Sequence, residues 1–298
     1  MPPLTNLPPI TRLSNKIIRI LGCNPGPMTL QGTNTYLIGT GRRRLLIDSG
    51  EAKTGELYTK LLNNVLCEEN ATIAHMLITH WHSDHIGGVE SVRGLLKKLF
   101  PEDEQPIVWK LPRALHDNEK SENEMSVQWQ PLKDEQVVEI EGAKLQVKYT
   151  PGHTSDHVCL LLQDENALFS GDCILGEGTT VFEDLHEYML SLKKILKMEP
   201  KTIYPGHGPV LDDPLPHIHY YIQHRQQREA EILHTLEQQE DNQLLTDIDI
   251  VKRIYKGTSE DLLLAASYTV RHHLSKLQKE GKVYQNEDSG WHVVKGKL

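Results

Sequence analysis

Cysteine is scarce in this sequence of 298 residues, and its four cysteines form no C-x-x-C pair. They are scattered along the chain as Cys23, Cys67, Cys159 and Cys173. A disulfide framework or a cysteine zinc knuckle needs closely and regularly spaced cysteines, so this spacing argues against both. We therefore expect four free or buried thiols and a reducing compartment.

The sequence also lacks long apolar runs and an excess of basic residues. No stretch approaches the roughly 20 apolar residues that span a bilayer, so we expect no membrane partner. The net charge of -9 argues against a protein that coats nucleic acid by bulk electrostatics, although it leaves room for a local basic site. The proportions of hydrophobic (38%) and charged (24%) residues are those of an ordinary globular protein.

Acidic residues are missing from the first part of the chain. No Asp or Glu precedes Asp48, whereas Arg12, Lys16 and Arg19 occur early, and there is no apolar signal-peptide core. An acid-poor, basic N-terminus is typical of a mitochondrial transit segment. Residues 16–21, however, alternate like a strand, which indicates that they belong to the folded domain.

The chain contains no repeat and no low-complexity tract, and its hydrophobic pattern predicts a layered α/β (α+β) domain. Predicted strands are residues 17–21, 35–38, 45–47, 76–79, 137–140, 145–149, 158–162, 167–169 and 202–204. Predicted helices are residues 54–66, 89–99, 185–197 and 217–239. The last of these helices is followed by predicted helices at 248–256 and from about 258 to 281, and by predicted strands at 283–284 and 292–294. Helix, helix, helix and a two-stranded wing is the outline of a winged-helix module. We therefore predict a hydrolase domain over residues 1–240 and a winged-helix domain over 241–298.

The strongest local signal is Thr79-His80-Trp81-His82-Ser83-Asp84-His85, directly after a predicted strand and before a helix. Four potential metal ligands within six residues at a strand-to-helix turn crowd one end of a sheet. Imidazole nitrogen and carboxylate oxygen suit zinc, and also iron or manganese. The turn therefore predicts a metal site.

Three later motifs repeat this strand-then-ligand arrangement. His153 lies in Tyr-Thr-Pro-Gly-His-Thr, Asp172 ends Phe-Ser-Gly-Asp, and His207 lies in Tyr-Pro-Gly-His-Gly. The glycines let the backbone turn sharply while the side chain reaches the metal. For the other histidines we predict surface or core positions rather than ligation; these are His157, His217, His219, His272 and His273. Asn34 and Glu177 either line the cleft or serve loop geometry.

These four motifs, in this order over residues 16–210, resemble the metallo-β-lactamase superfamily. The resemblance implies a four-layer αββα sandwich with two zinc ions at one edge. It implies the following ligands: one metal takes His80, His82 and His153, the other takes Asp84, His85 and His207, and Asp172 bridges them. Asp48 matches the early aspartate of the family, which implies a supporting role behind the ligands.

The expected chemistry follows from two metals about 3.5–4 Å apart, which hold a bridging water and lower its pKa toward neutrality. The resulting hydroxide attacks an electrophilic centre, and the metals stabilise the developing oxyanion. No serine or cysteine nucleophile is required. We predict Asp172 and Asp84 as the catalytic residues, with Asp84 in proton transfer.

The substrate class depends on a narrower resemblance. Residues 21–36, residues 171–185 and the winged helix look like a glyoxalase II-like animal branch of the superfamily. That resemblance implies a zinc-dependent endoribonuclease of the mitochondrial matrix that cuts single-stranded RNA; the cytoplasm is the alternative location. The stretch from Asp172 to His207 is too short for the large cap of the superfamily's mRNA-cleaving and DNA-repair nucleases.

Two other functions stay open. The first is a glyoxalase II-like thioester hydrolase acting on a small molecule, since Thr150-Pro151-Gly152-His153-Thr154 occurs in both classes. The second is a non-catalytic nucleic-acid-binding protein, which is disfavoured because no ligand is missing. The C-terminal module supports RNA binding only weakly, because it is nearly neutral. Four residues of its long helix project away from the apolar stripe, either toward nucleic acid, toward the hydrolase domain or toward a second copy of the chain: Arg271, His272, Ser275 and Lys279. Monomer and homodimer are both compatible with the sequence.

Overall fold

The computed structural model describes residues 3–113, 127–239, 245–255, 260–287 and 289–294. Within these ranges the elements form two β-sheets packed face to face, with helices on the two outer faces. Apolar residues of both sheets form a shared core between them, which includes Ile17, Leu45, Val147 and Phe169. The predicted four-layer αββα sandwich is thus confirmed.

The first sheet contains seven strands in chain order, antiparallel up to the fourth strand and parallel from there on. The strands are β1 (Ile10–Arg12), β2 (Ile17–Leu21), β3 (Asn34–Ile38), β4 (Arg43–Ile47), β5 (Thr72–Ile78), β6 (Ile107–Lys110) and β7 (Gln130–Pro131). Because β4 and β5 are parallel neighbours, their carboxyl ends meet at one sheet edge. Asp48 follows the first of them and the His80 turn follows the second.

The second sheet contains five strands in the order β12-β11-β10-β9-β8. They are β8 (Val137–Ile140), β9 (Ala143–Tyr149), β10 (Val158–Leu162), β11 (Ala167–Gly171) and β12 (Thr202–Pro205). Strands β11 and β12 are parallel, so the residues that follow them, Asp172 and His207, emerge side by side. His153 lies in the loop that joins the antiparallel strands β9 and β10.

Helices cover the outer faces through amphipathic stripes. Helices α1 (Gly55–Glu68) and α3 (Val89–Leu99) pack on the first sheet, and a single turn, α2 (Ser83–Ile86), lies between them in the chain. Helices α4 (Leu185–Met198) and α5 (Pro214–Glu237) pack on the second sheet. No helix of the described ranges is apolar and long enough to cross a membrane.

The C-terminal module consists of α6 (Asp247–Ile254), α7 (Glu260–Lys279) and the hairpin β13 (Val283–Gln285) and β14 (Trp291–Val293). Its core also contains Ile232 and Leu236 from the last turns of α5, so this helix contributes to two cores. The predicted domain boundary at residue 240 falls in a segment outside the described residues and stays a prediction.

Sequence patterns missed three strands of the first sheet: β1, β6 and β7. All three are short, with two to four residues, and β7 ends in Pro131. Strands this short carry too few residues for a period-2 pattern, and β6 and β7 also pair with residues more than 20 positions away. The pattern also placed the start of β5 four residues late, because Thr72 and His75 interrupt its apolar run.

A buried ion pair joins the two sheets next to the metal-ligand loops. Lys110 Nζ, at the end of β6, lies 2.7 Å from Asp156 Oδ2, and both side chains are fully buried. Asp156 also accepts a hydrogen bond from Thr154 at 2.7 Å, within the loop that carries His153. The pair therefore fastens the His153 loop to the opposite sheet.

Lys110→Met should lower the free energy of unfolding by about 3–5 kcal/mol, because it leaves the Asp156 carboxylate buried without its cation. The double variant Lys110→Met/Asp156→Asn removes both charges and should recover most of that loss. Urea unfolding of the single and double variants measures both values. Equal losses in the two variants would contradict the assignment of the stability to the ion pair.

Candidate metal centre

The densest part of the site is the turn that follows β5. The strand ends at Ile78, and α2 begins directly after His82, its N-cap residue. The backbone N–H of His85 donates to the carbonyl of His82 at 3.0 Å, which turns Asp84 and His85 back toward the strand end. A strand followed at once by one helical turn thereby places four candidate ligands at a single sheet edge.

Three imidazole nitrogens meet in what we call the first group, His80, His82 and His153. His80 Nε2 lies 2.9 Å from His82 Nδ1, and His153 Nε2 lies 3.2 Å and 3.1 Å from these two atoms. The Asp172 carboxylate adjoins them, with Oδ2 3.6 Å from His153 Nε2. Ligands from both sheets thus converge at this point.

The second group consists of Asp84, His85 and His207. The Nε2 atoms of the two histidines are 3.3 Å apart, and Asp84 Oδ2 lies 3.2 Å and 3.3 Å from them. Asp172 also faces this group, with Oδ1 3.4 Å from His85 Nε2 and Oδ2 3.4 Å from His207 Nε2. Asp172 therefore lies within reach of both groups, and the structure brings all seven predicted ligands together.

Hydrogen bonds on the outer sides of the rings decide which nitrogens face the centre. His85 Nδ1 donates to Asp48 Oδ2 at 2.7 Å, and His153 Nδ1 donates to the Val181 carbonyl at 2.7 Å. Because Nδ1 of each ring is used by an outer partner, Nε2 is the nitrogen that is turned toward the ligand groups. Nitrogens and carboxylate oxygens this close together need a proton or a metal ion between them.

The surroundings of Asp172 also fit a cation. Its Oδ1 is buried and has no hydrogen-bond partner among the residues that the structure describes. A buried carboxylate oxygen without a donor is costly, and a metal ion would compensate it. The neighbouring Gly206 leaves the room that this requires, because a Cβ there would lie 2.4 Å from the same oxygen. The donor set and its surroundings fit resident metal ions.

The two groups differ in electrostatics. In the first group, burial lowers the pKa of His82 to about 4, so its imidazole is neutral near pH 7. In the second group, burial also lowers the pKa of His207, but the Asp172 carboxylate outweighs this effect and raises that pKa to about 9. The second group therefore lies in a strongly negative potential, which favours binding of a cation.

Asp48 supports the second group from behind, as the sequence predicted. It follows β4, and its Oδ1 accepts the Thr79 N–H at 2.8 Å while Oδ2 accepts the Thr79 hydroxyl at 2.9 Å and the His85 ring. Its backbone adopts a left-handed φ of 56°, a strained conformation for a residue with a Cβ. These bonds fix the orientation and the tautomer of His85.

His157 has a role that the sequence did not reveal. It is a core residue and not a member of either ligand group, as predicted, but its Nε2 accepts the backbone N–H of Asp172 at 3.1 Å. Gly171 makes this contact possible: it has a φ of +47°, and a Cβ there would lie 2.6 Å from His157 Nε2. The available sequence signal was the position of His157 just before β10, at the same sheet edge as the ligands.

The sequence left open whether Asn34 and Glu177 line the cleft or serve loop geometry. The structure gives the two residues different roles. Asn34 lies behind the cleft, where its Nδ2 donates to the carbonyls of Pro205 and Gly208 at 2.9 Å and holds the turn that carries His207. Glu177 lines the cleft and accepts hydrogen bonds from Gln31 and the N-terminal segment.

Both groups lie at the floor of a cleft of about 400 Å³. Residues 27–30 form one wall and residues 177–181 form the other. The rim carries two exposed apolar side chains, Met28 (66% exposed) and Val181 (50% exposed). Asp84, Asp172 and three of the histidines face the cleft, so a substrate can reach both groups.

Comparisons with known proteins agree with this architecture. Residues 28–207 match the family described as the metallo-beta-lactamase superfamily, and residues 246–291 match the beta-lactamase associated winged helix domain. The chain is 51% identical to the Beta-lactamase-like protein 2 homolog of Drosophila melanogaster over 93% of this chain and 92% of that protein. It is 41% identical to the Atrochrysone carboxyl ACP thioesterase of Aspergillus fumigatus over 78% of this chain and 69% of that protein.

Among solved structures, a beta-lactamase domain protein from Burkholderia ambifaria superposes with a TM-score of 0.77. The alignment covers 96% of this chain and 93% of that chain at 16% identity. This likeness extends over both domains and concerns the fold alone.

Asp48→Asn should weaken metal binding by about 10–100-fold, because it weakens the bond that orients His85 and fixes its lone pair inward. Competition with a chromophoric chelator, followed by elemental analysis, measures the effect. Asp212→Asn, which changes an exposed carboxylate, is the matched control and should bind metal like the unmodified chain. Unchanged affinity in the Asp48 variant would contradict the supporting role.

Proposed function

Because this chain belongs to the metallo-β-lactamase superfamily, with a winged-helix domain at its C-terminal end, we propose that it is a binuclear zinc hydrolase that cuts single-stranded RNA internally. The observation that carries the binuclear part is the position of Asp172, whose two oxygens face both ligand groups. Imidazole-rich ligand sets with carboxylates suit zinc.

Bound metal ions would supply a water of lowered pKa as nucleophile and a positive field for the developing negative charge. The chain's own residues do the rest. The hydrogen bond from the Asp172 backbone N–H to His157 fixes the position of Asp172, whose two oxygens face both groups. Asp84 also faces the cleft, and the Thr33 hydroxyl donates to its Oδ2 at 2.9 Å. We propose that it accepts a proton from a substrate or from water.

The open cleft supports a polymeric substrate. The segment between Asp172 and His207 contains a loop, α4 and β12, and no inserted cap covers the groups in the described part of the chain. Single-stranded RNA is recognised largely through unstacked bases, which stack on planar side chains and offer their edges to hydrogen bonds. The exposed side chains of Met28 and Val181 flank the ligand groups, and we propose that they contact such bases by van der Waals packing. We place this activity in the mitochondrial matrix on the basis of the resemblance alone, because the acid-poor residues before Asp48 include strands β1–β4 of the folded domain.

A thioester hydrolase of the glyoxalase II type is the second candidate, and two observations favour it. One relative is named an acyl carrier protein thioesterase. In addition, the described residues that line the cleft include no lysine or arginine, so nothing on the cleft walls is built to pair with a row of phosphates. An uncharged acyl group would suit these walls.

Three labelled substrates separate the candidates when they are incubated with the metal-loaded protein: unstructured single-stranded RNA, a matched RNA duplex and S-lactoylglutathione. We expect internal cleavage of the single strand, slow cleavage of the duplex and little thioester hydrolysis. Intact RNA together with rapid thioester hydrolysis would replace the first candidate by the second. Binding of RNA without turnover of any substrate would indicate a non-catalytic protein.

Asp172→Ala should reduce RNA cleavage by more than about 100-fold, since loss of a ligand exceeds the 10–100-fold cost of changing an outer partner. RNA binding, measured by fluorescence anisotropy, should change little because substrate contacts on the cleft rim remain. Cleavage that survives this substitution would trace the activity to a contaminant or to a different site.

A further inference from the structure

His153 is the ligand that the second sheet contributes to the first group. It contacts residues 180–184, which we call the 180–184 segment. The carbonyl of Val181 accepts the His153 Nδ1 proton at 2.7 Å. The backbone N–H groups of Glu183 and Asp184 donate to the carbonyl of Gly152 at 2.8 Å and 3.0 Å. The segment therefore sets both the ring orientation and the backbone position of His153.

Arg225, in the middle of α5, holds this segment from behind. It is only 6% exposed, and its Nη2 donates to the carbonyl of Thr180 at 3.1 Å. The guanidinium also lies over the ring of Phe182, 4.8 Å from the ring centroid. A desolvated guanidinium on an aromatic face is a stronger cation–π contact than one exposed to solvent.

Helix α7 of the winged-helix domain contacts the same segment. The ring of His272 meets Phe182 edge-on with 5.4 Å between centroids. Lys279 pairs with Asp184, and Glu280 lies 3.9 Å from His186 in the first turn of α4. Two of the four residues that the sequence placed on an outward face of this helix, His272 and Lys279, thus face the hydrolase domain.

We propose that α5 and α7 act as positioning elements for the metal centre, because they fix the 180–184 segment and through it His153. Arg225 and His272 are the positioning residues. The winged-helix domain then increases the affinity of the first group for metal, and this effect does not depend on the substrate.

Loss of these contacts should affect the first group alone, because the second group is oriented by residues in other parts of the fold. His85 is oriented by Asp48, which follows β4. His207 lies on the turn that Asn34 of β3 holds through the carbonyls of Pro205 and Gly208. None of these supports comes from the 180–184 segment, so a change behind Phe182 should weaken the first group and leave the second group unchanged.

Single-site backgrounds allow each group to be measured alone. His207→Ala disables the second group and His153→Ala disables the first, and the metal-free proteins are titrated with Zn²⁺ against a chromophoric chelator. Arg225→Met keeps the aliphatic stem and removes the guanidinium. It should weaken Zn²⁺ binding about 10-fold in the His207→Ala background, the lower end of the range for an outer partner. In the His153→Ala background it should change the affinity less than twofold.

Two matched controls test the specificity of the effect. Arg228→Met changes an arginine one turn further along α5 that pairs with Glu231, and Arg271→Ala changes the neighbour of His272 that pairs with Asp247. Both should leave Zn²⁺ affinity unchanged in either background. Circular dichroism and urea unfolding verify that each variant is folded.

His272→Ala gives the same test if Arg225→Met does not fold, because His272 is half-buried and its removal disturbs the core less. It should produce a smaller loss in the first group and none in the second. Equal losses in both groups, or a lowered stability with unchanged Zn²⁺ affinity in the first group, would overturn the proposal and leave α5 and α7 with a packing role.

Discussion

The structure depends on a cluster of imidazole and carboxylate groups whose donor atoms are turned toward one another. Asp48 and the Val181 carbonyl bind the outer nitrogens of His85 and His153, so Nε2 of each ring is turned toward its own ligand group. The outer partners are parts of strand ends and loops of the fold. Metal ions bound at these groups would therefore be coupled to folding, because an ion would offset the cost of burying these polar groups together.

Sheet topology explains why the candidate ligands converge. Parallel pairing of β4 with β5 brings Asp48 behind the His80 turn, and parallel pairing of β11 with β12 brings Asp172 next to His207. The two sheets then face each other with these edges aligned. Residues far apart in the chain meet because carboxyl ends of parallel strands share one edge, as is usual for sites in α/β folds.

The C-terminal module packs against the hydrolase domain next to the candidate metal centre. Helix α5 contributes Arg225 to the metal-centre side and Ile232 to the core of the module. Helix α7 completes the contact at Phe182. The sequence left the outward face of α7 open to contact with nucleic acid or with the hydrolase domain, and two of its residues contact the hydrolase domain.

The amino-acid sequence by itself determined the fold class, most of the long elements and the seven candidate ligands, since each ligand motif is local: a strand ends in a turn. Long-range contacts decided the rest. The shortest strands, such as β6 and β7, exist only through pairing with distant neighbours. In the sequence, His157 looks like an ordinary core residue and Arg225 like an ordinary surface residue. In the structure, His157 accepts the backbone N–H of Asp172, and Arg225 packs on the ring of Phe182. A local pattern encodes backbone conformation and the chemistry of a side chain, but the partner of a buried polar group is fixed only when tertiary packing brings the two together.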